Sequence, residues 1–391
     1  ATIVTRMKRA GALIIAKATM GEFASRYVGS ASGIVRNAYD PDRNASGSSG
    51  GTGSGIAANY ALLGIGEDTG GSIRGPAAVA SLVGLRPTVP LVSRHGMMPA
   101  TPGSDTLGPM TRTVTDAAIL LDVIAGYDAN DPVTAQSVGN IPKTYTAMLT
   151  KDGLKGARIG IIREPMDTKA DPKSDDYRQV KAVMDKAYAD LKAQGAELVD
   201  PIVIPKLKDL IKRIHTDNNY ETEQAINTYL ARHKNAPVKN FRDIITSGQV
   251  VPWRIKGLMD GVSKAKTDSG YLQVVLGREE LRNSVLQIMA DQRLDALVYA
   301  TFDHSPTPIA PDVLTNPDPK DDYGRGNNRG LSPALSFPAI AVPAGFTPEQ
   351  LPVGIEFLAR PFAEGTLFRL AYAYEQATRH RKRSEEHTSE L

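Results

Sequence analysis

The chain has no cysteine among its 391 residues, so thiolate nucleophiles, disulfide frameworks and cysteine-held zinc are all excluded. The six histidines are scattered and none stands in a His-x-x-x-His spacing, which leaves no metal motif. No lysine occurs between Lys17 and Lys143, so the glycine-rich stretch in that interval cannot carry the Gly-Lys-Ser/Thr of a phosphate loop. A dinucleotide pattern fails as well, because Gly64-Ile-Gly66 runs on into Glu, Asp and Thr. The longest apolar run, Ala117 to Ala125, is broken by Asp122 and falls far short of the roughly 20 residues of a membrane span. Charge is nearly balanced, 46 Lys and Arg against 43 Asp and Glu, with no basic block apart from His380-Arg381-Lys382-Arg383. Neither a nucleic acid nor a membrane is therefore expected as a partner. A homodimer remains open, and a cytoplasmic location is favoured over a secreted one.

What is present suits a large core: 41% of the residues are hydrophobic and 23% charged. The chain opens at Ala1 inside a helical pattern (Ile3, Met7, Ala10), and Ala12 to Ala16 reads as a buried strand closed by Lys17. No small-residue cleavage motif follows, so the segment is not read as a signal peptide. Residues 21–43 read as loop, 46–55 as a small-residue loop, and 57–63 as helix; Thr115 is expected to cap a helix ending at Gly126. A strand at 158–162, a helix with Val180, Val183, Ala187 and Leu191 on one face, and a strand at 197–203 form a parallel crossover. Residues 206–292 read as helical and polar; strands resume at 294–299, 339–342 and 353–358, and a helix covers 364–378. The fold expected is α/β: one domain over 1–382, a mixed β-sheet with helices on both faces, and a helical insertion at 206–292 shaping a pocket. Ala1 reads as an interior start. Residues 383–391 match the translation of a sequencing-adapter oligonucleotide and are set aside.

Gly47-Ser-Ser49-Gly-Gly51 fits the Gly-x-Ser-x-Gly nucleophile elbow, yet Asp40-Pro-Asp-Arg-Asn-Ala precedes it where an apolar strand is required. Two serine clusters remain, Ser48-Ser49 and Ser72, twenty-four residues apart in glycine-rich surroundings. With Asp68-Thr-Gly-Gly-Ser-Ile-Arg74, Pro76, Val83-Gly-Leu-Arg-Pro-Thr88, Gly108-Pro-Met-Thr-Arg-Thr113 and Phe337-Pro-Ala-Ile-Ala-Val-Pro343, they resemble the amidase signature family. The form of the first cluster is nearest to that of bacterial and fungal amidases. The resemblance implies that the partner is a small-molecule amide, hydrolysed without metal or cofactor through an acyl-enzyme on Ser72. Ser48, after a cis peptide from Gly47, would relay the proton. A serine hydroxyl is a weak nucleophile until a base takes its proton, and a second hydroxyl can both accept and donate in such a relay. The N–H groups of Thr69, Gly70, Gly71 and Ser72 can form the oxyanion hole, each donor typically worth about 2.7–4 kcal/mol. Asp68 and Arg74 are expected to pair across the loop, and Ser49 either to hydrogen-bond within the site or, the preferred reading, to cap the following helix.

The departures from the family are specific. Its base is a lysine upstream of the segment matching Ile14 to Phe23, and nothing in 1–391 matches that motif. Lys17 aligns with a different family lysine, so the base is expected to lie outside this chain and these residues alone to be inactive. Asp105-Thr106 stands where the glutaminase subunits of tRNA-dependent amidotransferases have Asp-Gln, which points away from that alternative. A Ser/His/Asp triad through His95 and a catalytically silent binding protein also stay open.

Overall fold

The computed structural model describes residues 1–384; apart from Arg383 and Ser384, the adapter-like tail lies outside the described residues. The chain runs α1 (Thr2–Arg9), β1 (Val28–Gly29), β2 (Gly33–Ile34), α2 (Gly50–Ala57), β3 (Leu63–Glu67), α3 (Arg74–Val79), β4 (Val83–Arg86), β5 (Leu107–Thr111) and α4 (Val114–Ile124). It continues β6 (Arg158–Ile161), α5 (Asp175–Ala193), β7 (Glu197–Val199), α6 (Leu207–Ile214), α7 (Asn218–Ala231), α8 (Phe241–Thr246), α9 (Pro252–Met259) and α10 (Ser269–Asp291). Last come β8 (Ala296–Ala300), α11 (Leu331–Leu335), β9 (Ala339–Phe346), β10 (Pro352–Leu358) and α12 (Glu364–Thr378).

Eight strands form one mixed sheet in the order β3-β5-β4-β9-β10-β8-β6-β7. β6 pairs in parallel with both β7 and β8, so the β6–α5–β7 crossover is the parallel unit read from the sequence; the other pairings are antiparallel. Side chains alternate across the sheet. Ala296, Val298 and Ala300 of β8 join a core with α4, α5 and α12, while Leu297 and Tyr299 join another with α6, α10 and α11. Both faces are therefore covered, which suits β8, whose five residues are all buried.

Three local expectations are corrected. Residues 12–16 form no strand: Leu13 is 89% and Ile15 67% exposed, and the Ala12 N–H turns back to the Met7 carbonyl. Apolar character makes a strand only where a neighbouring edge accepts the backbone, and here none does among the described residues. The helix expected at 57–63 instead occupies Gly50–Ala57, inside the glycine-rich segment. Its glycines serve close packing: a Cβ on Gly51 would stand 2.3 Å from the Thr19 hydroxyl oxygen, and one on Gly53 3.1 Å from Pro76. Finally, Thr113 rather than Thr115 caps α4, its hydroxyl accepting from the Asp116 N–H at 3.0 Å.

Candidate active site

The loop between β3 and α3 carries Ser72 and is organised by a buried carboxylate. Asp68 accepts from the Gly71 N–H at 2.7 Å and the Ile73 N–H at 3.1 Å, and pairs with Arg74 at 3.2 Å and Arg86 at 3.2 Å. All three charged side chains are fully buried. Burial alone would raise the Asp68 carboxyl, but the two guanidiniums hold it well below the usual carboxylate range. Arg74 also pairs with buried Glu356, which accepts from the Tyr299 hydroxyl at 2.7 Å. The expected Asp68–Arg74 pair is thus present within a larger network that pins the loop to β4 and β10.

The second serine cluster lies directly beside this loop. The Ser49 N–H donates to the Ser72 carbonyl at 3.2 Å, and the Gly47–Ser48 peptide is cis. The Ser48 hydroxyl is buried and makes no hydrogen bond among the described residues, so no bond joins it to the Ser72 hydroxyl. Ser49 stands at the start of α2, but its hydroxyl caps nothing: it donates to the Glu67 carbonyl at 3.1 Å and accepts from the Glu67 N–H at 3.0 Å. The expectation of capping is corrected accordingly, because the end of β3 lies closer to this hydroxyl than the open N–H groups of α2.

Of the four N–H groups expected to receive an oxyanion, that of Gly71 is taken by Asp68. Those of Thr69, Gly70 and Ser72 make no hydrogen bond among the described residues. They border a cavity of about 780 Å³ whose wall includes Gly47, Ser72 and, from the helical segment, His215, Tyr229, Arg254 and Leu258. Lys17 also lines it, with an exposed side chain that makes no hydrogen bond or ion pair among the described residues. A groove of about 880 Å³ along α5 and the end of β9 is larger but holds neither serine. His95 does not reach the serines: it bonds the Thr2 hydroxyl at 3.2 Å and lines a neighbouring cavity. His215 does line the serine cavity, and burial pushes its imidazole down, toward the neutral form, against the pull of Asp217. Among the described residues no cluster of His, Asp or Glu could hold a metal ion, and no helix is long and apolar enough to cross a membrane.

With this geometry in view, the sequence profile of the Amidase family matches residues 1–368. The chain belongs to that family, whose members hydrolyse amide C–N bonds and of which a Ser-Ser-Lys triad is characteristic. It is 35% identical over 390 residues to a subunit of the glutamyl-tRNA(Gln) amidotransferase of Myxococcus xanthus, covering 96% of this chain and 76% of that one. Among solved structures, the native peptide amidase from Stenotrophomonas maltophilia superposes with a TM-score of 0.87 at 32% identity, covering 98% of this chain and 77% of that one. An amidase family protein from Bacillus anthracis gives 0.83 at 32%, covering 98% and 72%.

Sequence reasoning missed the residue that binds the two serine segments together. Arg329, from the long loop before α11, donates from one nitrogen to the Gly47 carbonyl at 3.2 Å and the Gly71 carbonyl at 3.1 Å. These are the carbonyls that immediately precede Ser48 and Ser72. A Cβ on Gly71 would lie 2.4 Å from the Arg329 Cβ, and one on Gly75 2.0 Å from its guanidinium, so both glycines make room for this arginine. No local pattern signals it, since 258 residues separate Arg329 from Gly71.

Proposed function

We propose that this chain carries the acyl-transfer half of a carboxamide hydrolase: Ser72 attacks the carbonyl, Ser48 relays its proton, and the N–H groups of Thr69, Gly70 and Ser72 receive the oxyanion. The observation that carries this reading is the Ser49 N–H to Ser72 carbonyl bond, which sets the two serine segments side by side at the wall of the 780 Å³ cavity. An unpartnered Ser48 hydroxyl suits a relay that still needs a base. The family's lysine has no counterpart in 1–391, and a lysine base must be desolvated to stay neutral at working pH. Helices α7 and α9, within the 206–292 segment of the one domain, line the cavity and shape the pocket for the amide.

A fluorophosphonate probe tests this. A chain that includes an upstream segment bearing the lysine should label at Ser72 and turn over amides, whereas residues 1–391 alone should show no turnover above a Ser72→Ala control. Turnover in 1–391 that vanishes in Lys17→Ala would reassign the base to Lys17. No labelling in the lysine-bearing chain would favour a silent binding protein. A second reading, the glutaminase component of a tRNA-dependent amidotransferase, draws support from the amidotransferase relatives. Ammonia released from free glutamine in preference to simple carboxamides and peptide amides would establish it over the first.

A further inference from the structure

The Thr69 hydroxyl sits between two buried carboxyl groups, 2.5 Å from Glu67 Oε1 and 2.7 Å from Asp105 Oδ1. A hydroxyl carries one hydrogen and can donate to only one of them. At these distances the other contact must be a bond that Thr69 accepts, and only a protonated carboxyl can donate it. The surroundings decide which. Burial raises the Asp105 carboxyl too, but it accepts from the Ala100 and Thr101 N–H groups, each at 2.9 Å, which favours its ionised form over that of Glu67. The Glu67 carboxyl makes no hydrogen bond besides that with Thr69 among the described residues, and its Oε2 is buried without a partner.

We propose that Glu67 is a positioning residue: a neutral carboxylic acid that donates to the Thr69 hydroxyl, which in turn donates to Asp105, clamping the Thr69–Ser72 loop from both sides. Three other charged or titratable groups face it, Asp68 beside it in the chain, Arg86 from β4 and Asp105 from the 94–106 loop. Burial, followed by the repulsion of Asp105, pushes Glu67 well above the usual carboxylate range, while Arg86 acts in the opposite direction. The clamp rests on the amidase reading only in that the loop it holds is the one proposed to receive the substrate carbonyl; the proton assignment does not depend on it.

The test uses the full chain and needs no turnover. Infrared difference spectra of wild type against Glu67→Gln at neutral pH should show the C=O band of a protonated carboxyl, present again in Ser72→Ala. Hydrogen exchange at the Gly71 and Ile73 amides, which the loop holds against Asp68, should match wild type in Glu67→Gln, which keeps a donor, and accelerate at least tenfold in Glu67→Leu. Should Glu67→Leu fail to fold, Thr69→Val should show the same acceleration. No difference band, or unchanged exchange in Glu67→Leu or Thr69→Val, overturns the proposal. A Ser72 that does not label while band and exchange behave as stated strikes only the amidase reading.

Discussion

Removing the Asp68 carboxylate tests the electrostatic account of the nucleophile loop. Asp68→Ala leaves Arg86 without an anionic partner, since its remaining bonds go to the Asp68 and Ser104 carbonyls, while Arg74 keeps Glu356. It also strips the acceptors from the Gly71 and Ile73 N–H groups. Breaking one side of a buried ion pair costs about 3–5 kcal/mol, and each unsatisfied buried N–H about 1–3 kcal/mol. These terms overlap, so a loss of about 4 kcal/mol or more is expected, a large fraction of a typical domain's 5–15 kcal/mol. Asp68→Asn keeps an acceptor oxygen and should lose less. Urea denaturation reads this as a lower midpoint at unchanged slope. Because the folded Asp68 titrates below its unfolded value, its contribution is full above the unfolded value and fades only as pH falls toward the folded one. The gap between wild type and Asp68→Ala should therefore be widest at neutral pH and narrow in acid. A loss under about 1 kcal/mol at pH 7, or a gap that widens in acid, would refute the reasoning.

Other outcomes follow from the same geometry. Ser49→Ala removes both bonds to the Glu67 backbone and should cost about 1–3 kcal/mol of stability, whereas Ser48→Ala breaks no bond and should spare stability while abolishing Ser72 labelling in the lysine-bearing chain; equal labelling losses from the two would argue against Ser48 as the relay. Arg329→Lys should lower stability by at least about 2 kcal/mol in urea and slow Ser72 labelling, since an ammonium cannot reproduce a fork that reaches Ser46, Gly47, Gly71 and Asn327. Gly71→Ala, at φ +112° and against Arg329, should cost at least about 1 kcal/mol, and wild-type stability there would contradict the packing described. Burial pushes Asp303 up to about 6, so its penalty grows as pH rises from about 4 to 6. Asp303→Asn should then gain up to about 3 kcal/mol on wild type at pH 7 and little at pH 4, and parallel pH curves would exclude this.

The segments legible in the sequence were those whose signal is local or periodic. The 3.6-residue pattern of Val180, Ala187 and Leu191 between two apolar runs specified the β6–α5–β7 crossover, and α12 falls at Glu364–Thr378 as its amphipathic pattern indicates. The serine clusters and the Asp68-Arg74 loop were readable because each is a short contiguous motif. Residues 12–16 misled because hydrophobicity reports a wish for burial, not the presence of a neighbour, and Gly50–Ala57 misled because glycine's poor helix propensity yields to close packing. Only the tertiary structure decided how Ser49 bonds, that Gly71's N–H is spent on Asp68, and that Arg329 and Asp105 reach the loop from remote segments. The physical reason is that a buried hydrogen-bonding group takes whichever partner folding places within about 3 Å, and chain separation carries no information about that distance.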